Sequence, residues 1–266
     1  SFTVTEFNDG TYNFVGGNEP WAGFNTLADD NSPDLLLTPI VNGVPSSTTN
    51  TNANSGGVGS NFVDTGEAYR LDFVTDPTGD NSGTNFEDPG NADHAFEGHY
   101  TTNGASALIV STNSATVRVE AFEDPDGNTA VGDGTHEDVT GVAISYNGAT
   151  SGLITAANDD DGDGIVEASD SDGIVDVTVG GRAFTVVFNA DGTADVGNVE
   201  GGSGPTPGGT RIAVFTEDGY NSLTFTNVGE DSFRIGDFGP AVQSNDPVPF
   251  ELPVVIVDGD GDVVDG

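Results

Sequence analysis

Short runs of four to eight residues, in which apolar and polar side chains alternate, recur along this chain between clusters of Gly, Asn, Asp and Pro. In Ala115–Phe122, for example, Val117 and Val119 share one side, and Arg118 and Glu120 share the other. A period of two residues is typical of a β-strand with one face on a hydrophobic core. Since no stretch keeps the 3.6-residue period of a helix, the pattern predicts an all-β protein.

The other strand candidates are runs rich in Val, Phe, Thr and Tyr that are bounded by turn residues. They are Ala68–Thr75, Ala105–Ser111, Gly141–Tyr146, Ile174–Val179, Ala183–Phe188, Arg211–Thr216, Asn221–Thr226, Ser232–Ile235 and Pro249–Val257. Many short strands, separated by roughly 8–12 residues, are typical of a sandwich. We therefore expect residues 1–266 to form a single large antiparallel β-sandwich with long loops.

Two stretches of small and polar residues predict loops. Ser46–Ser60 reads SSTTNTNANSGGVGS, and Gly201–Gly209 reads GGSGPTPGG. The second has the composition of a flexible linker. It could be a native loop within the domain, a boundary between subdomains or an artificial join, and the sequence leaves these three possibilities open.

The charge of the chain restricts its function. It carries 44 acidic residues against 5 basic ones, all of them Arg, for a net charge of -39. This balance excludes a nucleic-acid binder, which needs clustered Lys and Arg, and argues against docking on an anionic membrane. No apolar run approaches the ~18 residues of a membrane span. Because self-repulsion disfavours a compact state, we expect bound cations or high salt to offset the charge.

Two absences in the composition add to this picture. Without Cys, the chain has no disulfide, zinc–thiolate site or cysteine nucleophile. Without Met, and with Ser at position 1, it is expected to be a fragment of a longer protein.

The strongest motif is Asp159–Asp170, DDDGDGIVEASD, which matches the twelve-residue calcium loop at nearly every position. Gly164 occupies position 6, where the chain turns sharply, and Val166 is the apolar position 8. A hard cation needs six to eight oxygen ligands from such a turn. The candidate ligands are Asp159, Asp161, Asp163, the backbone carbonyl of Ile165, Glu167 and Asp170. Asp at position 12 departs from the usual Glu, and the flanks read as strands.

Two further acidic turns follow strand candidates and predict weaker calcium sites. Glu123–Asn128 would supply Asp124, Asp126 and Asn128. Asp258–Gly266 would supply Asp258, Asp260, Asp262 and Asp265, at a terminus that a neighbouring domain could complete. The competing interpretation is a polar turn with Gly at positive φ.

Other candidate chemistry is less specific. His94, His99 and His136 could be metal ligands, but surface-loop positions are the favoured interpretation. An N-terminal aromatic group could stack on a sugar, although a core role is favoured; it consists of Tyr12, Phe14, Trp21 and Phe24. No carboxylate pair stands out among the acidic residues, and no G-x-S-x-G motif is present. We therefore assign no catalytic residue and expect a protein that is not an enzyme.

Six longer segments of the chain carry a family resemblance: GEAYRLDFVTD (Gly66–Asp76), AFEGHYTTNGASALIV (Ala95–Val110), VRVEAFEDPDGN (Val117–Asn128), RIAVFTEDGYNSLTF (Arg211–Phe225), SFRIGDFG (Ser232–Gly239) and FELPVVIVDGDGDVVDG (Phe250–Gly266). They resemble segments in the repeat domains of very large bacterial adhesins exported by type I secretion, the 143-residue repeat class of RTX adhesins. The resemblance covers most of Leu35–Gly266. The nonapeptide calcium repeats of the same exported proteins are absent.

The resemblance implies an extracellular, calcium-stabilised β-sandwich on the bacterial cell surface. Its role would be to extend an adhesin or to present a ligand-binding module in cell adhesion and biofilm formation. The implied partners are neighbouring domains of the same chain and a cell-surface glycan or protein, with the domain itself monomeric. In some relatives such a scaffold is split by an inserted binding domain, and Gly201–Gly209 is the candidate position here.

Three alternatives remain open at this point. The first is a calcium-dependent carbohydrate-binding module of a secreted protein that uses the aromatic group around Trp21. The second is a secreted polysaccharide-degrading enzyme. The third is a halophile surface protein whose acidic residues are an adaptation to high salt and not to calcium. The absence of Lys favours this alternative.

Overall fold

The regular structure of this protein consists of β-strands. The computed structural model describes residues 2–4, 17–19, 22–24, 34–45, 48–51, 55–79, 94–110, 113–125, 127–128, 130–157, 173–200, 209–243, 255–257 and 263–265, and these residues form no helix. In chain order the strands are β1 (Phe2–Val4), β2 (Gly17–Glu19), β3 (Ala22–Phe24), β4 (Asp34–Val41), β5 (Val44–Pro45), β6 (Thr49–Thr51), β7 (Gly56–Val58), β8 (Glu67–Thr75), β9 (Thr78–Gly79), β10 (His94–Ala95), β11 (Gly98–His99), β12 (Thr102–Val110), β13 (Ala115–Glu123), β14 (Thr135–Glu137), β15 (Gly141–Tyr146), β16 (Ala149–Thr150), β17 (Ile174–Val179), β18 (Arg182–Phe188), β19 (Ala194–Val199), β20 (Thr210–Tyr220), β21 (Ser222–Asn227), β22 (Arg234–Gln243), β23 (Val255–Val257) and β24 (Val263–Asp265).

Most of these strands belong to two antiparallel sheets. The first sheet has the order β16-β15-β20-β12-β22-β7-β6-β2, with β1 paired to β22. The second has the order β17-β18-β19-β13-β21-β8-β4-β3, with β11, β14 and β5 added at β8, β13 and β4. Strands β9 and β10 form a separate two-stranded sheet, and so do β23 and β24.

The hydrophobic core lies between the two sheets. Ile109 and Ile212 from the first sheet join Val119, Leu223 and Phe225 from the second in one cluster, and none of the five is exposed. Alternation places these side chains inward, as the pattern predicts for Val117, Val119, Leu223 and Phe225. The predicted all-β fold is confirmed, and the two facing sheets form a β-sandwich.

Most predicted strands are confirmed, and Gly141–Tyr146 and Ile174–Val179 have the predicted bounds. The sequence pattern does not predict two of the observed strands, Ala194–Val199 and Asp34–Val41. In the latter, Leu35, Leu36 and Leu37 follow one another without alternation, because β4 is buried on both faces.

The predicted loop Ser46–Ser60 is wrong in part, because it contains strands β6 and β7. A tertiary contact explains the difference. The Tyr69 hydroxyl donates a hydrogen bond to the backbone carbonyl of Gly57 at 2.7 Å and lies 2.6 Å from Thr49 Oγ1. This buried tyrosine anchors a segment whose own composition favours a loop.

The outer face of the second sheet is partly covered. Leu36 on β4 and Val74 on β8 pack against Phe96 and Val131, which belong to the segments before β11 and after β13. Part of this sheet is therefore buried on both sides, and the polar residues of its outer face lie in a groove rather than on open surface.

The predicted linker Gly201–Gly209 joins β19 of the second sheet to β20 of the first. Residues 201–208 lie outside the described residues, but both ends of the connection are described. The Thr210 hydroxyl donates to the Glu200 carbonyl at 2.8 Å and accepts from the Glu200 N–H at 3.2 Å. The two ends of this connection are therefore held together by one side chain.

Candidate functional site

The predicted calcium loop connects the two sheets. Its candidate ligands, Asp159, Asp161, Asp163, Ile165, Glu167 and Asp170, lie outside the described residues. On one side Ile154 forms an antiparallel bridge with Val142 on β15, next to the edge strand β16. On the other side Gly173, at φ 83°, precedes β17, which is an edge strand of the second sheet. The acidic connection therefore joins one edge of each sheet.

The second predicted turn is divided between buried and exposed positions. Asp124 is buried, and the side-chain amide of Asn221 accepts from its N–H at 3.0 Å and donates to its carbonyl at 2.7 Å. Asn128 is exposed, and its Oδ1 accepts a hydrogen bond from the Ala130 N–H. Gly127 has φ 69°, as the polar-turn interpretation requires, whereas Asp126 lies outside the described part of the chain.

The C-terminal acidic segment follows a β-strand, as predicted, although of Pro249–Val257 only Val255–Val257 is described. This strand pairs with Val263–Asp265, and Val255 is opposite Asp265. Asp258, Asp260 and Asp262 fall between the two strands and outside the described residues. Asp265 therefore belongs to a strand and not to the turn itself.

The surface-loop prediction for the histidines is wrong. All three belong to strands, and the His99 side chain is only 8% exposed because Phe96 packs on its ring, with centroids 5.0 Å apart. His136 is half-buried against Phe122 in an edge-to-face contact at 5.4 Å. Of the N-terminal aromatic residues, Tyr12, Phe14 and Trp21 lie outside the described residues, and Phe24 is in β3.

A polar groove, which we call the outer groove, runs across the outer face of the second sheet with a volume of about 360 Å³. Strand pairing builds it in rows. Asp72 on β8 is opposite Ser222 on β21, and Ser222 is opposite Phe122 on β13. In the next row Thr224 lies between Arg70 and Glu120. His99 and Asp124 also line the groove.

Two ion pairs hold the arginines of the outer groove in place. Arg70 Nε donates to Asp72 Oδ2 at 2.9 Å, and its Nη2 donates to Thr38 Oγ1 at 3.1 Å. Arg118 binds Asp195 through two nitrogens, at 2.7 and 2.9 Å. Such paired geometry fixes the guanidinium orientation. Both arginines are therefore preorganised, and their charges are largely offset by carboxylates.

Ser222 Oγ, on a residue that is 5% exposed, is a buried atom of the outer groove that has no hydrogen-bond partner. His99 Nε2 makes no hydrogen bond either, although it lies within ion-pair distance of Asp124 Oδ2, at 3.6 Å. Burial also raises the pKa of Glu120 on the groove floor, although the nearby Arg118 opposes the shift. An unsatisfied buried polar atom costs about 1–3 kcal/mol, so these positions call for an explanation.

The sequence pattern places Arg118 and Glu120 on the outward side of β13 but does not show that they share a groove with β8 and β21. The sequence does contain one indication of a polar outer face on these strands. Polar residues occupy every second position, such as Arg70 and Asp72 on β8 or Ser222 and Thr224 on β21. No group of three His, Asp or Glu that could hold a metal is found among the described residues. The outer groove is therefore a mixed polar site.

The five arginines are dispersed and not gathered into a basic patch. Ion pairs join Arg70 to Asp72, Arg118 to Asp195, Arg182 to Glu200 and Arg211 to Asp237, and Arg234 lies 4.8 Å from the ring centre of Phe62.

Comparison of the chain with protein-family models, with curated proteins and with solved structures found no match. Among the described residues, no helix has the length and apolar character that crossing a membrane requires.

Proposed function

We propose that this chain is a non-enzymatic, calcium-binding β-sandwich domain of an extracellular bacterial surface adhesin. The domain acts as an extender or as a scaffold that presents a ligand-binding module. Segments such as Gly66–Asp76 and Arg211–Phe225, which resemble adhesin repeat domains, support this proposal. The observation that carries it is the position of Asp159–Asp170, a twelve-residue calcium sequence on the connection between an edge strand of each sheet.

A cation at this connection would act on the two main obstacles to folding. It would reduce the mutual repulsion of the six closely spaced carboxylates of Asp159–Asp170, which contribute to the net charge of -39. Its binding free energy would also offset the entropy cost of closing the connection of 15 residues between Ala157 and Gly173. A rigid, cation-dependent domain suits a chain that spans the distance between a cell and its target.

Calcium binding tests this proposal directly. Isothermal titration of the calcium-free protein with CaCl₂ should show at least one site with a dissociation constant of about 10⁻⁷ to 10⁻⁵ M. The double variant Asp161→Asn/Asp163→Asn should lose that site. Glu217→Gln/Asp218→Asn is the matched control, because it removes the same charge at two exposed positions of β20 and should keep the site. Equal isotherms for the two double variants would contradict the assignment.

Gly201–Gly209 is the proposed position for an inserted module, because Thr210 and Glu200 hold its ends together. Insertion of about 20 Gly and Ser residues between Gly204 and Pro205 should lower the free energy of unfolding by only about 1 kcal/mol, the cost of closing a longer loop. The same insertion between Gly180 and Gly181 should cost about 2 kcal/mol or more, because it opens the two-residue turn that sets the register of β17 and β18. Urea denaturation measures both values, and equal losses would count against residues 201–209 as an insertion point.

A further inference from the structure

We propose that the outer groove binds a small, neutral, hydroxyl-rich ligand of the saccharide class, held by Ser222, His99 and Asp72. The proposal deepens the proposed function, since it assigns a ligand to the sandwich itself. The described lining of the groove comes from β4, β8, β11, β13 and β21 and from the turns beside them.

The unpartnered atoms point to a ligand. The Ser222 residue and the His99 side chain are more than nine-tenths buried, both line the groove, and neither Ser222 Oγ nor His99 Nε2 has a hydrogen-bond partner. Buried hydroxyls and imidazoles are normally satisfied by protein or water. The Ser222 hydroxyl makes no hydrogen bond within the protein, whereas a ligand hydroxyl would satisfy it.

The lining suits hydroxyl groups better than a charged ligand. Arg70 and Arg118 supply donors beside the acceptors Asp72 and Glu120, and a sugar hydroxyl can serve both kinds of partner. Phe122 adds an apolar ring that could face the C–H groups of a pyranose. A few fixed polar groups beside an apolar surface are typical of small-molecule sites.

Size and charge exclude other ligands. A volume of about 360 Å³ is at the lower end of the range for small-molecule pockets and is too small to enclose a protein domain or a long polysaccharide. An anion would meet the field of a chain with net charge -39 and arginines already paired to Asp72 and Asp195. A divalent cation needs several converging ligands, and no group of three His, Asp or Glu is present in the described part of the chain.

The test uses the full chain in saturating calcium and a panel of neutral sugars: glucose, galactose, mannose, fucose, N-acetylglucosamine, maltose and lactose. Saturation-transfer NMR should detect at least one of them, with millimolar affinity. The variant Ser222→Ala should bind that sugar about tenfold more weakly while its Tm stays equal to that of the wild type or rises, because the hydroxyl lost has no partner in the protein. Ser106→Ala, which truncates a buried serine of the first sheet, should bind as the wild type does.

Three results would overturn the proposal. They are the absence of binding by every sugar of the panel, equal affinity of the wild type and Ser222→Ala, and perturbation of the His99 resonances by ZnCl₂ but by no sugar. Because calcium is saturating throughout and its own binding is measured separately, failure here leaves the calcium proposal standing. Conversely, if titration shows no calcium site, a positive saturation-transfer signal from a sugar would still support the outer groove as a saccharide site.

Discussion

Addition of EDTA is expected to lower the Tm of this domain by at least about 8 °C, and calcium should restore it. The magnitude of this Tm shift follows from the thermodynamic linkage between calcium binding and folding. A ligand at about 1,000 times its dissociation constant stabilises the folded state by about 4 kcal/mol per site. For a domain of this size, 1 kcal/mol corresponds to roughly 2–4 °C in Tm. Thermal unfolding followed by circular dichroism, with 1 mM CaCl₂ or 5 mM EDTA at fixed ionic strength, measures the shift.

The same experiment separates calcium from general salt. In the halophile alternative, the 39 excess negative charges are screened by molar NaCl, and millimolar calcium adds nothing. On the calcium proposal, high NaCl should recover only part of the Tm lost in EDTA, because screening does not replace the free energy of calcium binding at Asp159–Asp170. Asp161→Asn/Asp163→Asn should already melt near the EDTA value, with little further response to chelation. A Tm that follows molar NaCl and ignores calcium would refute the calcium proposal.

The second large effect is expected at Asn227, which is fully buried at the end of β21. Its amide Nδ2 donates to the carbonyls of Val63 and Asp231 at 2.9 and 3.0 Å, and its Oδ1 accepts from the Gly229 N–H at 3.0 Å. Asn227→Ala leaves these three backbone groups without that partner. The Val63 carbonyl keeps its hydrogen bond from the Phe233 N–H at 3.2 Å, and the other two groups are only part-buried. We therefore expect a loss of about 3 kcal/mol in the free energy of unfolding, measured by urea denaturation in saturating calcium.

Two companion variants separate this network from a general effect of removing Asn. Asn103→Ala is the control, because Asn103 is exposed and its amide makes a single 3.5 Å contact with the Glu217 carbonyl. Its cost should stay within about 0.5 kcal/mol. Asn227→Asp should be as damaging as Asn227→Ala, because a carboxylate cannot donate to the Val63 and Asp231 carbonyls. A loss below about 1 kcal/mol in both Asn227 variants would show that the network adds little to stability.

The sequence predicts well those strands in which apolar and polar residues alternate. In β13 and β21, apolar side chains alternate with polar ones, so the period of two is visible in the residues themselves. Strand β4 lacks this period because loops cover its outer side and both faces are buried. Strands β6 and β7 have a loop-like composition and are held by Tyr69, which is distant in sequence. The local pattern of apolar and polar residues does not predict these contacts, because they involve residues that are distant in the sequence.

The candidate sites differ in the same respect. The spacing of Asp159–Asp170 is local, so the sequence alone predicts a calcium loop there. The outer groove joins residues that are far apart in the chain, such as Asp72, Glu120 and Ser222. The sequence predicts the outward orientation of Glu120, but its neighbours depend on the pairing of β13 and β8 with β21.

The sequence by itself determined the all-β class, the inward face of the alternating strands, the excess of negative charge and the local spacing of acidic turns. These properties follow from backbone periodicity and from composition, which need no knowledge of distant contacts. The tertiary structure alone decided which strands are neighbours, that Asp124 and His99 are buried, and that Ser222 is left without a partner in a polar groove. Burial and hydrogen bonding depend on residues brought together from distant parts of the chain, and the one-dimensional pattern does not specify those pairings.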